Sequence, residues 1–350
     1  MKITKINIKK EKPDFSKLGF GKYFTDHMLV TDYANGKWSE LQIVPYDRFS
    51  VAPCMASLHY GQGIFEGLKA YKTDNGTTTL FRPLDNLERM NRSAQRLCMP
   101  QIDVKIVSDG IKELLKIDED WIPSLPGTSL YIRPTMIATE EVLGVHPSKS
   151  YKFFVILSPV GSYYANGLAP TKILVEQEYV RAPIGGTGAT KCMGNYAASL
   201  LAGEKANRKG YDQALWLDVD HKYVEEVGAM NIFFVIDGIV KTPALVGSIL
   251  PGITRDSVLK LLKKNGIPAE ETRILISEVY DAYRAGTLTE AFGSGTAAVI
   301  SPVGVLGYRG EDLIINKNKI GPISKQLYDE LTGIQYARIK DEFGWVQYLK

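Results

Sequence analysis

Cysteine is scarce in this chain of 350 residues, which carries three, Cys54, Cys98 and Cys192. An odd number without metal-like spacing excludes a complete disulfide framework and reads as reduced thiols in a cytosolic compartment. The four histidines, His27, His59, His146 and His221, lie far apart with no HExxH pair, so a metal centre has no anchor and none is expected. Long apolar runs are also missing. The longest, such as Asn-Ile-Phe-Phe-Val-Ile at 231–236, are strand-sized, and the N-terminal MKITKINIKKEKPDF has lysines throughout and no apolar signal core. These features predict a soluble, cytoplasmic protein with no membrane partner. Charge of one sign is lacking too, because 42 basic and 39 acidic residues are interspersed for a net charge of +3, too balanced to attract nucleic acid. No GxxxxGK[ST] or GxSxG string occurs, and Gly61-Gln62-Gly63 lacks the third glycine at dinucleotide-binding spacing; nucleotide and serine-hydrolase readings therefore have no support.

What the chain does have is the composition of a folded enzyme: 45% hydrophobic residues, 23% charged and 32 glycines. Its length is most simply two domains. Strands are predicted at 27–33, 41–46, 68–72 and 77–81, the last two joined by the turn Thr73-Asp74-Asn75-Gly76. Pro83 opens a helix that ends before Pro100, with Arg89, Arg92 and Arg96 sharing one face, and a second helix is predicted over 108–117. Strands at 129–138 and 151–159 follow, and the breaker-rich GSYYANGLAP at 161–170 suggests an interdomain connection. Beyond it, strands crowd together, a helix runs to Arg208, and another starts at Pro251-Gly252-Ile253-Thr254. The expectation is an α/β (α+β) protein with a small domain at 1–162, a linker at 163–175 and a larger β-rich domain at 176–350.

Four features could carry chemistry. Lys191 stands in GGTGATKCMGNY at 185–196, a glycine-loosened segment entering a helix, where a lysine could hold a cofactor covalently; the same pattern fits a solvated loop lysine. Gly252-Ile253-Thr254 at a helix start and the glycine-rich turn read at 293–297, with Thr296, could each cradle an anion with backbone N–H groups, or be an ordinary cap and turn. Glu226 lies in or at the end of a strand between Val224 and Val227. A pyridinium nitrogen about 4 Å from such a carboxylate gains about 4 kcal/mol at an effective dielectric of about 20, enough to keep a pyridine protonated, whereas a nearby lysine would be a plainer partner.

The ordered blocks GFGKYFTDHM (19–28), LHYGQGIFEGLKAY (58–71), FRPLDNLERMNRSAQRL (81–97), LYIRP (130–134), PVGSYY (159–164), KCMGNY (191–196), EVGAMN (226–231), LPGITRDS (250–257) and FGSGTAA (292–298) resemble those of the branched-chain amino-acid aminotransferases over nearly the whole chain. These are class IV, fold-type IV enzymes dependent on pyridoxal 5′-phosphate. The resemblance implies that Lys191 holds the cofactor and then, with a pKa well below about 10.4, moves the substrate proton. It further implies that Tyr196 contacts the phenolic oxygen, Glu226 the pyridine nitrogen, and Arg89, Ile253, Thr254 and Thr296 the phosphate.

On the substrate side the resemblance implies apolar walls from Phe20, Tyr131 and Tyr163, with Arg133 meeting the glutamate side chain. The Thr296-Ala297 turn and Tyr60 of a neighbouring subunit would bind the α-carboxylate, hence a homodimer. The implied reaction is ping-pong transfer, through pyridoxamine phosphate, between leucine, isoleucine or valine and 2-oxoglutarate, so the partners are amino acids and 2-oxo acids. A D-amino-acid aminotransferase, an aminodeoxychorismate lyase or a non-catalytic cofactor-binding protein are the alternatives. The chain departs from the pattern in two respects: Ala298 and Ser301 stand where vertebrate members carry a CxxC pair, and Ala229 where threonine is usual.

Overall fold

The computed structural model describes residues 1–161 and 168–349. The chain divides into two compact units, one of Met1–Ala165 with Thr190–Met193 and Gly333–Lys350, the other of Asn166–Ala189 with Gly194–Thr332. Both mix sheet and helix, the α/β architecture expected.

The first unit is built on a ten-stranded sheet. Its centre is the antiparallel pair Ser129–Ala138 and Tyr151–Val160, in register from Ser129 opposite Val160 to Ala138 opposite Tyr151. Residues 151 to 157 alternate between buried and half-buried, the period of two that a strand covered on one face requires. The hairpin Leu68–Lys72 and Thr78–Phe81 turns at Gly76, whose φ of +84° a residue with a side chain rarely adopts. The helix Pro83–Arg96 has proline at its start and buries Leu87, Arg89, Met90, Ser93 and Ala94. The following helix is Val104–Ile117, four residues earlier than expected, because the Asp103 side chain caps it by accepting the Ile106 N–H at 2.9 Å. Leu87, Met90, Val107, Ile111, Leu114 and Leu115 from the two helices join Leu130, Ile132, Phe153 and Val155 of the sheet in one core. The irregular N-terminal arm is stapled to this unit by His27, whose Nε2 accepts the Ile6 N–H at 2.9 Å while Nδ1 lies 2.6 Å from Asp118.

The last eighteen residues differ from the expected division, which places all of 176–350 in the larger domain. They group with the first unit because Val346–Tyr348 adds an antiparallel edge strand to Thr79–Phe81, and because Tyr336 donates its hydroxyl to the Thr128 carbonyl at 2.6 Å. Thr190–Met193 also groups there, through the bridge of Ile64 with Cys192.

The second unit carries a nine-stranded mixed sheet. Thr171–Val175 sits inside this sheet, parallel to both Gln213–Leu217 and Val299–Tyr308, so these residues are strand and not the linker in which the expected boundaries place them. Val224–Val227 and Met230–Ile236 form a tight hairpin, and Met230–Ile236 pairs onward with Leu288–Gly295. The helices Ile253–Lys264 and Ile276–Ala285 lie in this unit, and Phe234, Ile236, Ile276, Val279 and Leu306 contribute to its core.

Candidate active site

In the first unit a chain of charged and aromatic side chains surrounds Lys191. The Lys191 N–H donates to Ser93 Oγ at 3.1 Å, and its carbonyl accepts the Phe65 N–H at 3.1 Å. Its backbone is thus held between the Pro83–Arg96 helix and the strand Gly63–Phe65. Its Nζ lies 4.8 Å from the centre of the Phe65 ring, a cation–π distance. Ser93 is one helical turn beyond Arg89, so both side chains occupy one face. Arg89 is buried, and its Nε and Nη2 reach the two oxygens of Glu66 at 2.7 and 2.8 Å. Glu66 is fully buried and also accepts the Gly67 N–H. This bidentate pair fixes the guanidinium in orientation.

Arg133 and Tyr131, two residues apart on one strand, face the same side. The guanidinium stands 4.6 Å from the Phe65 ring and 5.2 Å from the Tyr131 ring, and Nη2 donates to the Tyr131 hydroxyl at 3.1 Å. Phe20 meets Tyr131 edge-on at 5.0 Å. A Cβ at Gly67 would lie 2.0 Å from the Tyr131 hydroxyl, so only glycine leaves room for the phenol. Among the described residues Arg133 has no carboxylate partner, and its buried Nε has no hydrogen bond. Across the register from Tyr131, burial lowers the Lys69 ammonium to about 8.

In the second unit Glu226 is buried in the strand Val224–Val227. Its Oε1 accepts the Leu250 N–H at 2.9 Å and the Asn231 amide at 3.2 Å, and Oε2 lies 2.6 Å from Arg181 Nε. Asn231 faces Glu226 on one side of the sheet register and Ser294 on the other. The helix Ile253–Lys264 begins just beyond Leu250, with Gly252 as its cap and no side-chain capping bond. A Cβ at Gly252 would lie 2.0 Å from Asn231 Oδ1, so the glycine lets the helix start lie against the asparagine. The Thr296-Ala297-Ala298 turn follows Ser294 and Gly295, the strand running to Gly295 where the sequence suggests a turn from 293. One end of this sheet therefore gathers a buried carboxylate, a helix N-terminus and a turn.

These donor types fit a phosphorylated pyridine: an anionic group for the ring nitrogen, and helix-start N–H groups whose partial positive charge suits phosphate. The first unit brings together Lys191, Arg89, Tyr131, Arg133 and Phe20, and the second Glu226, Ile253, Thr254, Thr296 and Ala297. Tyr196 is half-buried in the first turn of the helix Met193–Arg208. Tyr60 is 42% exposed at the end of the short helix Ala56–Tyr60. Tyr163 lies outside the described residues. Ala229 is exposed in the Gly228-Ala229 turn, and Ala298 and Ser301 stand at the turn and on the strand after it. Sequence reasoning misses Phe65, Glu66, Ser93, Arg181 and Asn231; Phe65 and Glu66 are in view within FEGLKAY, but nothing in the spacing ties them to Lys191 or Arg89. Among the described residues no cluster of His, Cys, Asp or Glu could hold a metal ion, and no helix is long and apolar enough to cross a membrane.

Residues 63–305 match the family described as amino-transferase class IV. The chain is 55% identical to branched-chain-amino-acid aminotransferase 2 of Bacillus subtilis, over 99% of this chain and 96% of the relative. It is similar in structure to the branched-chain amino acid aminotransferase of Escherichia coli, with a TM-score of 0.77 at 29% identity, covering 93% and 99% of the two chains. The branched-chain aminotransferase of the thermophilic archaeon Thermoproteus uzoniensis, solved with norvaline, gives a TM-score of 0.78 at 26% identity, covering 93% and 100%.

Proposed function

The chain belongs to the class IV aminotransferases and, within them, to the branched-chain-amino-acid aminotransferases, and from that premise we propose how its own residues carry the reaction. The substrates are leucine, isoleucine or valine with 2-oxoglutarate, interconverted with the branched 2-oxo acids and glutamate in the cytoplasm. Pyridoxal 5′-phosphate, when bound, supplies the electron-withdrawing ring that accepts the electron pair left at the amino acid's Cα. Lys191 Nζ would hold the cofactor and, once released from it, would remove the Cα proton and deliver it across the nitrogen, two atoms away, to the carbon that the lysine had held, as a general base and then a general acid. Glu226 faces the ring nitrogen. The N–H groups of Ile253 and Thr254, the Thr254 and Thr296 hydroxyls and the Arg89 guanidinium hold the phosphate, and Tyr196 holds the phenolic oxygen.

Arg133 receives the side-chain carboxylate of glutamate, while the faces of Phe20 and Tyr131 receive branched aliphatic chains. The Thr296-Ala297 turn holds the α-carboxylate, with Tyr60 supplied across a homodimer interface. The observation that carries this reading is the pairing of the buried Glu226 carboxylate with the glycine-capped start of Ile253–Lys264 in one unit, linked through Leu250 and Asn231.

The test is spectroscopic. Purified protein with pyridoxal 5′-phosphate should show a visible absorption band that is lost in Lys191→Ala and bleached stoichiometrically by leucine, then restored by 2-oxoglutarate. A band that leucine leaves unchanged would reduce the protein to a binder of the cofactor. A preference for D-alanine or aminodeoxychorismate in the same assay would move it to another activity of the fold.

A further inference from the structure

We propose that Arg181 is a positioning residue that serves as the resident cation of the Glu226 site, neutralising that carboxylate when no cofactor is bound and yielding part of this role to the cofactor's ring nitrogen. The inference rests on the reading of Glu226 as the partner of that nitrogen.

The Arg181 side chain is 8% exposed. Its Nε is 2.6 Å from Glu226 Oε2, and this N–H has no aligned acceptor among the described residues, so the contact is an ion pair more than a directed hydrogen bond. The directed bonds come from Nη2, which donates to the carbonyls of Gly188 at 2.8 Å and Ser248 at 2.7 Å. These two backbones already touch, since a Cβ on Gly188 would lie 2.0 Å from the Ser248 carbonyl oxygen. One guanidinium thus ties together three things: the carboxylate, the segment that reaches Lys191 three residues later, and the loop that reaches the Ile253–Lys264 helix five residues later. Next to Glu226, Glu225 bonds to the Ser248 hydroxyl; burial pushes its carboxyl up to about 7, against the opposing pull of Ser248 and of Arg181. Arg181 is therefore the nearby cation for two buried acids on one strand.

A purely structural staple and a resident counter-ion differ in one consequence. Removing a staple weakens the loaded and empty proteins alike. Removing a counter-ion leaves a buried carboxylate without its cation only in the empty protein, because the protonated ring nitrogen replaces it when the cofactor binds.

The experiment compares melting temperatures with and without pyridoxal 5′-phosphate for the wild type, Arg181→Met and Arg181→Lys. The rise on adding cofactor should be larger in Arg181→Met than in the wild type by about 3 °C or more, and Arg181→Lys, which keeps the charge, should show the wild-type rise. Nitrogen NMR of ring-labelled pyridoxamine phosphate supplies a second readout: in Arg181→Met the bound ring nitrogen should stay protonated to higher pH. An unchanged or smaller rise with an unchanged ring titration overturns the counter-ion role and leaves Arg181 a staple. If Arg181→Met fails to fold, the ring titration in Arg181→Lys decides, and a titration shifted as far from the wild type as that of a Glu226→Gln control overturns the proposal. A wild type that gains nothing from the cofactor overturns the functional reading itself, and the inference with it.

Discussion

Replacing Arg133 by alanine tests whether one site serves two chemically opposed substrates. Its guanidinium has no carboxylate partner among the described residues, and is packed 4.6 Å from Phe65 and bonded to the Tyr131 hydroxyl at 3.1 Å. A glutamate side-chain carboxylate meeting it gains one or two charge-assisted hydrogen bonds, about 1.5–3 kcal/mol, which corresponds to a loss of about 10- to 150-fold in kcat/KM for glutamate or 2-oxoglutarate on substitution. Leucine makes no such bond. It loses only the guanidinium that braces Phe65 and Tyr131, about 0.5–1 kcal/mol at most, or a factor of about 2 to 5. The assay is single-turnover reaction of each amino acid with the cofactor-loaded protein, read as kcat/KM for both half-reactions. Arg133→Lys should recover part of the glutamate reaction, since it restores the charge but not the fork. Equal losses for glutamate and leucine would refute the reasoning, because they would mean that Arg133 supports the pocket without recognising the acid.

Four further outcomes follow from the structure. Gly188→Ala should lower the melting temperature and weaken cofactor binding, since the added Cβ would sit 2.0 Å from the Ser248 carbonyl oxygen and about 1–3 kcal/mol is the usual cost of overpacking. Gly203→Ala, within the helix Met193–Arg208 and with nothing within 4 Å of the added atom, should stabilise by about 0.5–1 kcal/mol; calorimetry finding the same sign for both would refute the steric account. Glu66→Gln should destabilise the cofactor-free protein by about 3–5 kcal/mol in denaturant titration, because it leaves the buried Arg89 without its counter-charge, and a loss below about 1 kcal/mol would contradict that. Burial raises the Glu225 carboxyl from 4.5 to about 7, so between these values the folded protein holds a proton that the unfolded chain has released. Its contribution to stability is full below about pH 4.5 and fades as the pH rises to 7. The upper figure is about 3 kcal/mol, of which about 1–2 is expected after screening. In Glu225→Gln this part of the pH dependence should vanish from the urea midpoint.

The elements that local chemistry specifies are legible in the sequence. Thr73-Asp74-Asn75-Gly76 fixes its hairpin, and Pro83 fixes the start of its helix within a residue. The start at Val104 is not, because a valine, lysine and isoleucine run after Asp103 reads equally as strand until the side-chain cap is seen. Ile276–Ala285 is equally hard to read, its glutamate, aspartate and tyrosines obscuring the buried Ile276, Val279 and Ala282 stripe. Long-range pairing is the part that spacing cannot supply. Val346–Tyr348 pairs with Thr79–Phe81 from the far end of the chain, and Thr171–Val175, whose strand character is readable from 173 onward, has two parallel neighbours that its own residues do not announce. For the site, resemblance supplies the residues proposed to face a ligand, whereas Glu66, Ser93, Asn231 and Arg181, which hold those residues, become visible only through contacts between distant segments.

Those holding contacts explain why Arg89, Arg181 and Arg133 are not interchangeable. Arg89 commits Nε and Nη2 to a fully buried carboxylate, so the pair is neutral overall. In its proposed role it would offer a phosphate a fixed donor more than a net charge, so the attraction would have to come largely from other proposed donors. Arg181 is balanced by Glu226 and bonded to two carbonyls, which leaves it unable to follow a substrate. Arg133 has an aromatic floor and a phenol, but no acid among the described residues. An acid that comes and goes is bound best by a cation whose charge is not already matched, since it then gains the whole interaction and no resident carboxylate must be displaced. The same arrangement tolerates leucine, because the Phe65 and Tyr131 rings partly cover the guanidinium and keep it solvated or stacked when no acid is present. On the proposed role of Arg133, dual specificity rests on an arginine whose charge is left open for the acid, while Arg89 and Arg181 are held by their own carboxylates.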